Sequence, residues 1–245
     1  MTKTTLTDTA KKVLHRADTR GGANHGWLKT FHSFSFASWY DPRRMGFGAL
    51  RVLNDDQVAP SMGFDFHPHS DMEIISIPLE GALRHRDNMG NETVIKSTDV
   101  QLMSAGKGVF HEEYNASTDD DVKFLQIWVF PREKGIDFRY DQKTFEAADR
   151  VNKWQTLVSP EDDGAVTIMQ DAWFSRTTLE AGKELSYTLK GKNTGVYLLM
   201  LEGEAEVAGE ALVRRDALAL WELDHVDLQA TADADILLLE VPMEV

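Results

Sequence analysis

Short apolar runs closed off by turn-forming residues recur along this chain: Gly48 to Leu53, Glu73 to Leu79, Val100 to Ser104, Lys123 to Phe130, Val196 to Leu201, Ala217 to Trp221 and Ile236 to Val241. Each is strand-sized, and no convincing long segment carries the spacing of an amphipathic helix. The connections read as hairpin turns, as in Asn88-Met89-Gly90-Asn91 and Glu202-Gly203-Glu204. Glycine and asparagine tolerate the backbone angles that a tight reversal requires. The pattern predicts an all-β protein.

The runs also repeat in order. Ile77-Pro78-Leu79-Glu80-Gly81 aligns with Leu199-Met200-Leu201-Glu202-Gly203, Asp99-Val100-Gln101-Leu102-Met103 with Asp216-Ala217-Leu218-Ala219-Leu220, and Trp128-Val129-Phe130-Pro131 with Leu239-Glu240-Val241-Pro242. A strand, Glu-Gly turn, strand, Asp turn, strand order that occurs twice predicts two stacked antiparallel barrels of one ancestry. A chain of 245 residues is long enough for both. Residues 1–133 are expected to form an N-terminal domain and residues 134–245 a C-terminal one, with the polar stretch 131–141 as linker.

Composition removes several classes of function. A formal net charge of −14 opposes a phosphate-tracking surface, so direct nucleic-acid binding is not expected. The segment Met1 to Asp18 lacks an apolar core, and no window approaches the ~18 apolar residues of a spanning helix. Neither a signal peptide nor a membrane association is expected, and the location is read as cytoplasmic. The absence of cysteine excludes disulfides, thiolate nucleophiles and thiolate metal sites. Any metal must therefore be held by imidazole nitrogen and carboxylate oxygen.

The chain contains eight histidines: His15, His25, His32, His67, His69, His85, His111 and His225. In His67-Pro68-His69 two imidazoles stand at i and i+2, which strand alternation points to one face. Gly106-Lys107-Gly108-Val109-Phe110-His111-Glu112-Glu113 offers a second such pair, His111 and Glu113, behind a glycine-rich turn. Together they compose a candidate metal site of three nitrogens and one oxygen. Glu73 competes for the carboxylate position, because it shares a strand face with His69. Glu112 is expected to point outward. His85, within Leu83-Arg84-His85-Arg86-Asp87, reads first as solvent-facing and second as a support behind the metal ligands, while His15, His25, His32 and His225 read as surface or hydrogen-bonded core residues.

These stretches resemble a known family. Gly63, His67, His69 and Glu73 loosely follow the first cupin motif, and Gly106, Gly108, His111 and Asn115 the second, with Gly106 where most cupins carry proline. Arg20-Gly21-Gly22, Ser33-Phe34-Ser35-Phe36, His67-Pro68-His69-Ser70-Asp71-Met72-Glu73, Met103-Ser104-Ala105-Gly106 and Leu125-Gln126-Ile127-Trp128 are similar to pirin, particularly its bacterial quercetin 2,3-dioxygenase branch. The likeness extends over nearly the whole chain.

The resemblance implies a bicupin, two jelly-roll-like β-barrels packed together, and selects Glu113 rather than Glu73 as the carboxylate ligand. It implies one divalent ion, Fe(II) first, with Zn, Ni, Mn, Co or Cu as alternatives that ligand type does not separate. The implied activity is a dioxygenase that opens the heterocyclic ring of flavonols such as quercetin and releases carbon monoxide. Glu113 would serve both as ligand and as proton acceptor. Phe34, Phe36, Phe64 and Trp128 are candidates to flank a flat substrate, although barrel core is the first reading for each taken individually. The other role found among pirin-like proteins is metal-dependent regulation through a protein partner. A monomer is expected. Shifting residues 67 and 69 by 122 positions lands on Leu189 and Gly191, so the C-terminal barrel is expected to hold no metal.

Overall fold

The computed structural model describes residues 10–161 and 164–244. Of the N-terminal segment read above as free of a leader or anchor, residues 1–9 lie outside the described residues. Among the described residues, no helix is long and apolar enough to cross a membrane. The described residues are built from strands, with two short 3-10 turns at Ala17–Thr19 and Ala147–Arg150.

Two compact units divide the chain. The first comprises Arg20–Phe145 and Pro160–Gln170. Its large antiparallel sheet runs, in spatial order, through Arg139–Thr144, Asp99–Ser104, Glu73–Glu80, Val122–Val129, Leu50–Val58, Leu28–His32 and Gly21–Asn24. Its small sheet runs through Gly63–His69, Val109–Asn115, Ala82–Asp87 and Glu92–Lys96. Apolar residues form separate clusters in this unit. Leu28, Val58, Leu83, Ile95, Val122 and Phe124 form one, and Ile74, Met103, Ala105 and Val109 another.

The second unit comprises the described residues up to Thr19, Glu146–Ser159 and the chain from Asp171 on. Its large sheet places Lys11–His15, Ala217–Trp221, Thr194–Glu202, Ala234–Pro242, Trp173–Leu179 and Gln155–Ser159 side by side, and its small sheet Glu184–Thr188, His225–Ala230, Glu204–Val207 and Glu210–Val213. The repeated order matches the internal sequence repeat strand for strand. The Glu-Gly turns fall at Gly81, φ 75°, and Gly203, φ 80°, so glycine supplies the left-handed angle in both. An apolar cluster in this unit includes Leu198, Leu218 and Leu238.

The units differ from the division at 133/134. Arg139–Thr144, partly inside the expected linker, pairs with Asp99–Ser104 from Arg139 opposite Ser104 to Thr144 opposite Asp99. Lys11–His15 pairs with Ala217–Trp221. Each strand satisfies the open backbone edge of the corresponding sheet. Backbone pairing therefore assigns the N-terminal strand to the C-terminal unit.

Candidate metal centre

In the small sheet of the first unit, Val109–Asn115 lies between Gly63–His69 and Ala82–Asp87. His111 stands opposite His67 on one side and Asp87 on the other, and Glu113 stands opposite His85. Directly opposed residues of an antiparallel pair share a face, so these side chains converge. The ring centroids of His67 and His111 are 4.4 Å apart, those of His67 and His69 4.8 Å, and those of His69 and His111 5.0 Å. A register shift separates His111 from Glu113 along the Gly63–His69 edge. There a Cβ on Gly63 would collide with the Glu113 carbonyl, so this approach requires glycine. Gly106 adopts φ 49°, which proline cannot, and this accounts for the departure from the usual motif.

Among the described residues two groups of three potential ligands emerge, His67 with His69 and His111, and His85 with His111 and Glu113. Within each group the ligand atoms lie within 4.8 Å of one another. His111 belongs to both, and Glu113 groups with His85 and His111. The solvent-facing reading of His85 is corrected: it is buried, its Nε2 is 3.2 Å from Asp87 Oδ2, and its ring lies 5.2 Å from that of Tyr140. Leu83, His85 and Asp87 face inward while Arg84 and Arg86 face out. The flanking arginines suggested an exposed strand, but they occupy the opposite face. Glu112 pairs with Arg86 at 2.8 Å on that outer face.

The imidazoles suit a cation. His67 Nδ1 is 2.8 Å from the Asp65 carbonyl, so Nδ1–H donates and Nε2 keeps its lone pair. Burial, and then the neighbouring histidines, push both His69 and His111 down to about 3, leaving them neutral near physiological pH. Both ring nitrogens of His111 are buried without a hydrogen-bond partner. A buried unpaired polar group costs about 1–3 kcal/mol, a cost that a bound cation removes. Nitrogen and carboxylate donors of this kind fit late first-row divalent metals.

Glu113 is held from the large sheet. Ser76 Oγ donates to Oε1 at 2.8 Å and Gln126 Nε2 to Oε2 at 2.6 Å. Glu73, the competing carboxylate, instead receives hydrogen bonds from Ser104 Oγ at 2.8 Å and the Met169 amide at 3.1 Å, and burial raises its pKa.

Ser76 and Gln126 belong to a polar row that crosses the large sheet in register: Gln142, Gln101, Ser76, Gln126, Asn54 and His32 are successive cross-strand partners. Carrying the sequence repeat into the second unit puts Leu218 at the position of Gln101 and Leu198 at that of Ser76. Leu218, Leu198 and Leu238 are likewise successive partners there. The same sheet therefore closes over leucine in one unit and over hydrogen-bonding groups in the other.

The positions matched to His67 and His69 also differ in kind. Leu189 packs against the second unit's core. Gly191 donates its amide to the buried Glu240 carboxylate at 2.8 Å, alongside the Lys190 amide, Thr194 Oγ1 and Tyr187 OH. A Cβ at Gly191 would lie 2.8 Å from the Trp173 ring, so no side chain fits there without displacement.

A cavity of about 370 Å³ opens beside the histidines. His67, His69, Glu113, Phe36, Phe64, Trp128, His25, His32, Thr30, Asn54, Asp56 and Gln126 all line it. Phe36 and Trp128 meet edge to face at 5.5 Å, and Trp128 lies 5.0 Å from His69. Phe34 is instead buried core. His25 and His32, read from sequence as surface or core, both reach this cavity. Burial pushes the Asp56 carboxyl up to about 7, against a hydrogen bond from Thr30 that lowers it. Alternation could have flagged Gln126, a polar residue within an apolar run on the face of Phe124 and Trp128.

Paired large and small sheets, with an imidazole cluster inside one of two repeated units, define a two-domain cupin. The chain belongs to the pirin family: residues 13–129 match Pirin and residues 156–241 match the Quercetinase C-terminal cupin domain. It is 39% identical over 230 residues to the quercetin 2,3-dioxygenase of Escherichia coli K12, covering 94% of this chain and 98% of that one. It is 44% identical over 225 residues to a pirin-like protein of Caulobacter vibrioides, covering 91% and 96%. The crystal structure of the bacterial pirin YhhW of E. coli in complex with nickel(II) superposes with a TM-score of 0.90 at 38% identity, covering 96% of this chain and all of that one.

Proposed function

We propose that this chain is a metal-dependent dioxygenase that opens the heterocyclic ring of flavonols such as quercetin, with carbon monoxide released, and that His67, His69, His111 and Glu113 hold its divalent metal, iron in the first instance. The observation that carries the reading is the junction of the imidazole cluster with a cavity walled by Phe36, Phe64 and Trp128, a shape and chemistry suited to a flat aromatic ring. Relatives named quercetin 2,3-dioxygenase and a nickel-bound pirin structure support it.

A bound metal ion supplies Lewis acidity, stabilising a deprotonated hydroxyl of the substrate and its encounter with dioxygen. The chain's own residues do the rest. Trp128 and Phe36 orient the ring against His69. Asp65 fixes the His67 tautomer. Glu113, anchored by Ser76 and Gln126, accepts the substrate's hydroxyl proton.

The test is an oxygen-electrode assay on iron-loaded protein, with carbon monoxide detection. A flavonol should be bleached with oxygen uptake and carbon monoxide release, whereas a flavone lacking the 3-hydroxyl should be inert. Equal treatment of the two, or no carbon monoxide, removes the dioxygenase reading and returns the protein to a regulator that acts through a protein partner.

A further inference from the structure

The cavity also carries polar groups that belong to neither ligand group of the metal cluster. His32 Nδ1, Asn54 Oδ1 and Asp56 Oδ1 are all buried without a hydrogen-bond partner. Their residues are 2%, 3% and 5% exposed and all line the cavity. Register makes them neighbours: His32 faces Asn54, and Thr30 faces Asp56. Trp128 Nε1, on the same cavity, also lacks a partner.

Buried polar atoms in native proteins are overwhelmingly satisfied, and several orphans on one cavity wall mark a place where a ligand completes the bonds.

We propose that Asn54 and Asp56, with His32 beside them, form a hydroxyl-binding subsite that accepts hydrogen bonds from phenolic hydroxyls of the substrate other than its 3-hydroxyl. Two acceptor oxygens on one strand, two residues apart, suit a polyhydroxylated arene better than a bare one. The inference rests on the flavonol reading for its substrate class. It adds that hydroxylation beyond the 3-hydroxyl determines which substrates bind. Asn54 and Asp56 act on binding, and Glu113 retains the proton-accepting role.

The test is anaerobic calorimetry on metal-loaded protein with three probes: quercetin, 3-hydroxyflavone, which has no other hydroxyl, and catechol. Wild-type protein should bind quercetin about tenfold more tightly than 3-hydroxyflavone, the factor expected of a net hydrogen bond or two. Asn54→Leu and Asp56→Leu should abolish that preference by weakening quercetin alone. Asp56→Asn, which keeps an acceptor oxygen, should preserve most of it. Preference that survives both leucine variants, or equal loss for all probes, overturns the subsite. If flavonols do not bind, catechol decides: binding lost in the leucine variants upholds the subsite, and absent or unchanged binding ends it. Hydroxyl-dependent binding without carbon monoxide release in air would overturn the dioxygenase reading alone.

Discussion

Gln126 donates its side-chain amide to Oε2 of Glu113 at 2.6 Å, joining the large sheet of the first unit to the carboxylate of its histidine cluster. With Ser76 on the other oxygen, both acceptor atoms are oriented before any ligand arrives. Supporting hydrogen bonds of this kind alter metal affinity by about 10–100-fold. Gln126→Leu and Ser76→Ala should each weaken metal binding within that range while the protein stays folded. Chelator competition measures the affinity and circular dichroism the fold. Unchanged affinity in both variants would show that the anchoring is incidental.

Glu113 and Glu73 separate in the same assay. Glu73 already has partners at Ser104 and Met169, and burial favours its neutral form, which a glutamine side chain would imitate. Glu73→Gln should therefore keep most of the metal, whereas Glu113→Gln should lose metal affinity, activity or both. The reverse ranking would restore the usual cupin arrangement.

One divalent ion per chain is expected. His111 belongs to both ligand groups, so His111→Ala, alone or with His67→Ala, should reduce bound metal to background in elemental analysis. His85→Ala should keep the stoichiometry and lower the affinity. A second stoichiometric ion, or full retention in the double variant, contradicts this assignment.

Asp56 should leave a signature in stability against pH. Burial lifts its folded pKa to about 7 from the ordinary 3.8, so between those values the folded state holds a proton that the unfolded chain has released. Stability contributed by the neutral carboxyl is complete below about pH 4 and lost as pH rises through 7. Asp56→Asn, neutral throughout, should be more stable than wild type at pH 8 by on the order of a few kcal/mol. The advantage should vanish near pH 4. Denaturant titration of metal-free protein at both pH values checks this, and a pH-independent difference would contradict it.

Period-two apolar runs and their recurrence in order were enough to establish an all-β chain of two similar halves, because strand alternation and turn chemistry are local properties of neighbouring residues. The absence of cysteine and the two i, i+2 pairs, His67/His69 and His111/Glu113, likewise made a nitrogen and oxygen donor set legible. Tertiary structure decided which face of Ala82–Asp87 turns inward, and so moved His85 from solvent to the cluster. It placed Lys11–His15 in the C-terminal unit and aligned Ser76, Gln126, Asn54 and His32 beneath Glu113 and the cavity. Those relations arise from register between strands far apart in the chain. Register is set jointly by turn lengths, bulges and burial of one whole face, so no single strand's sequence contains it.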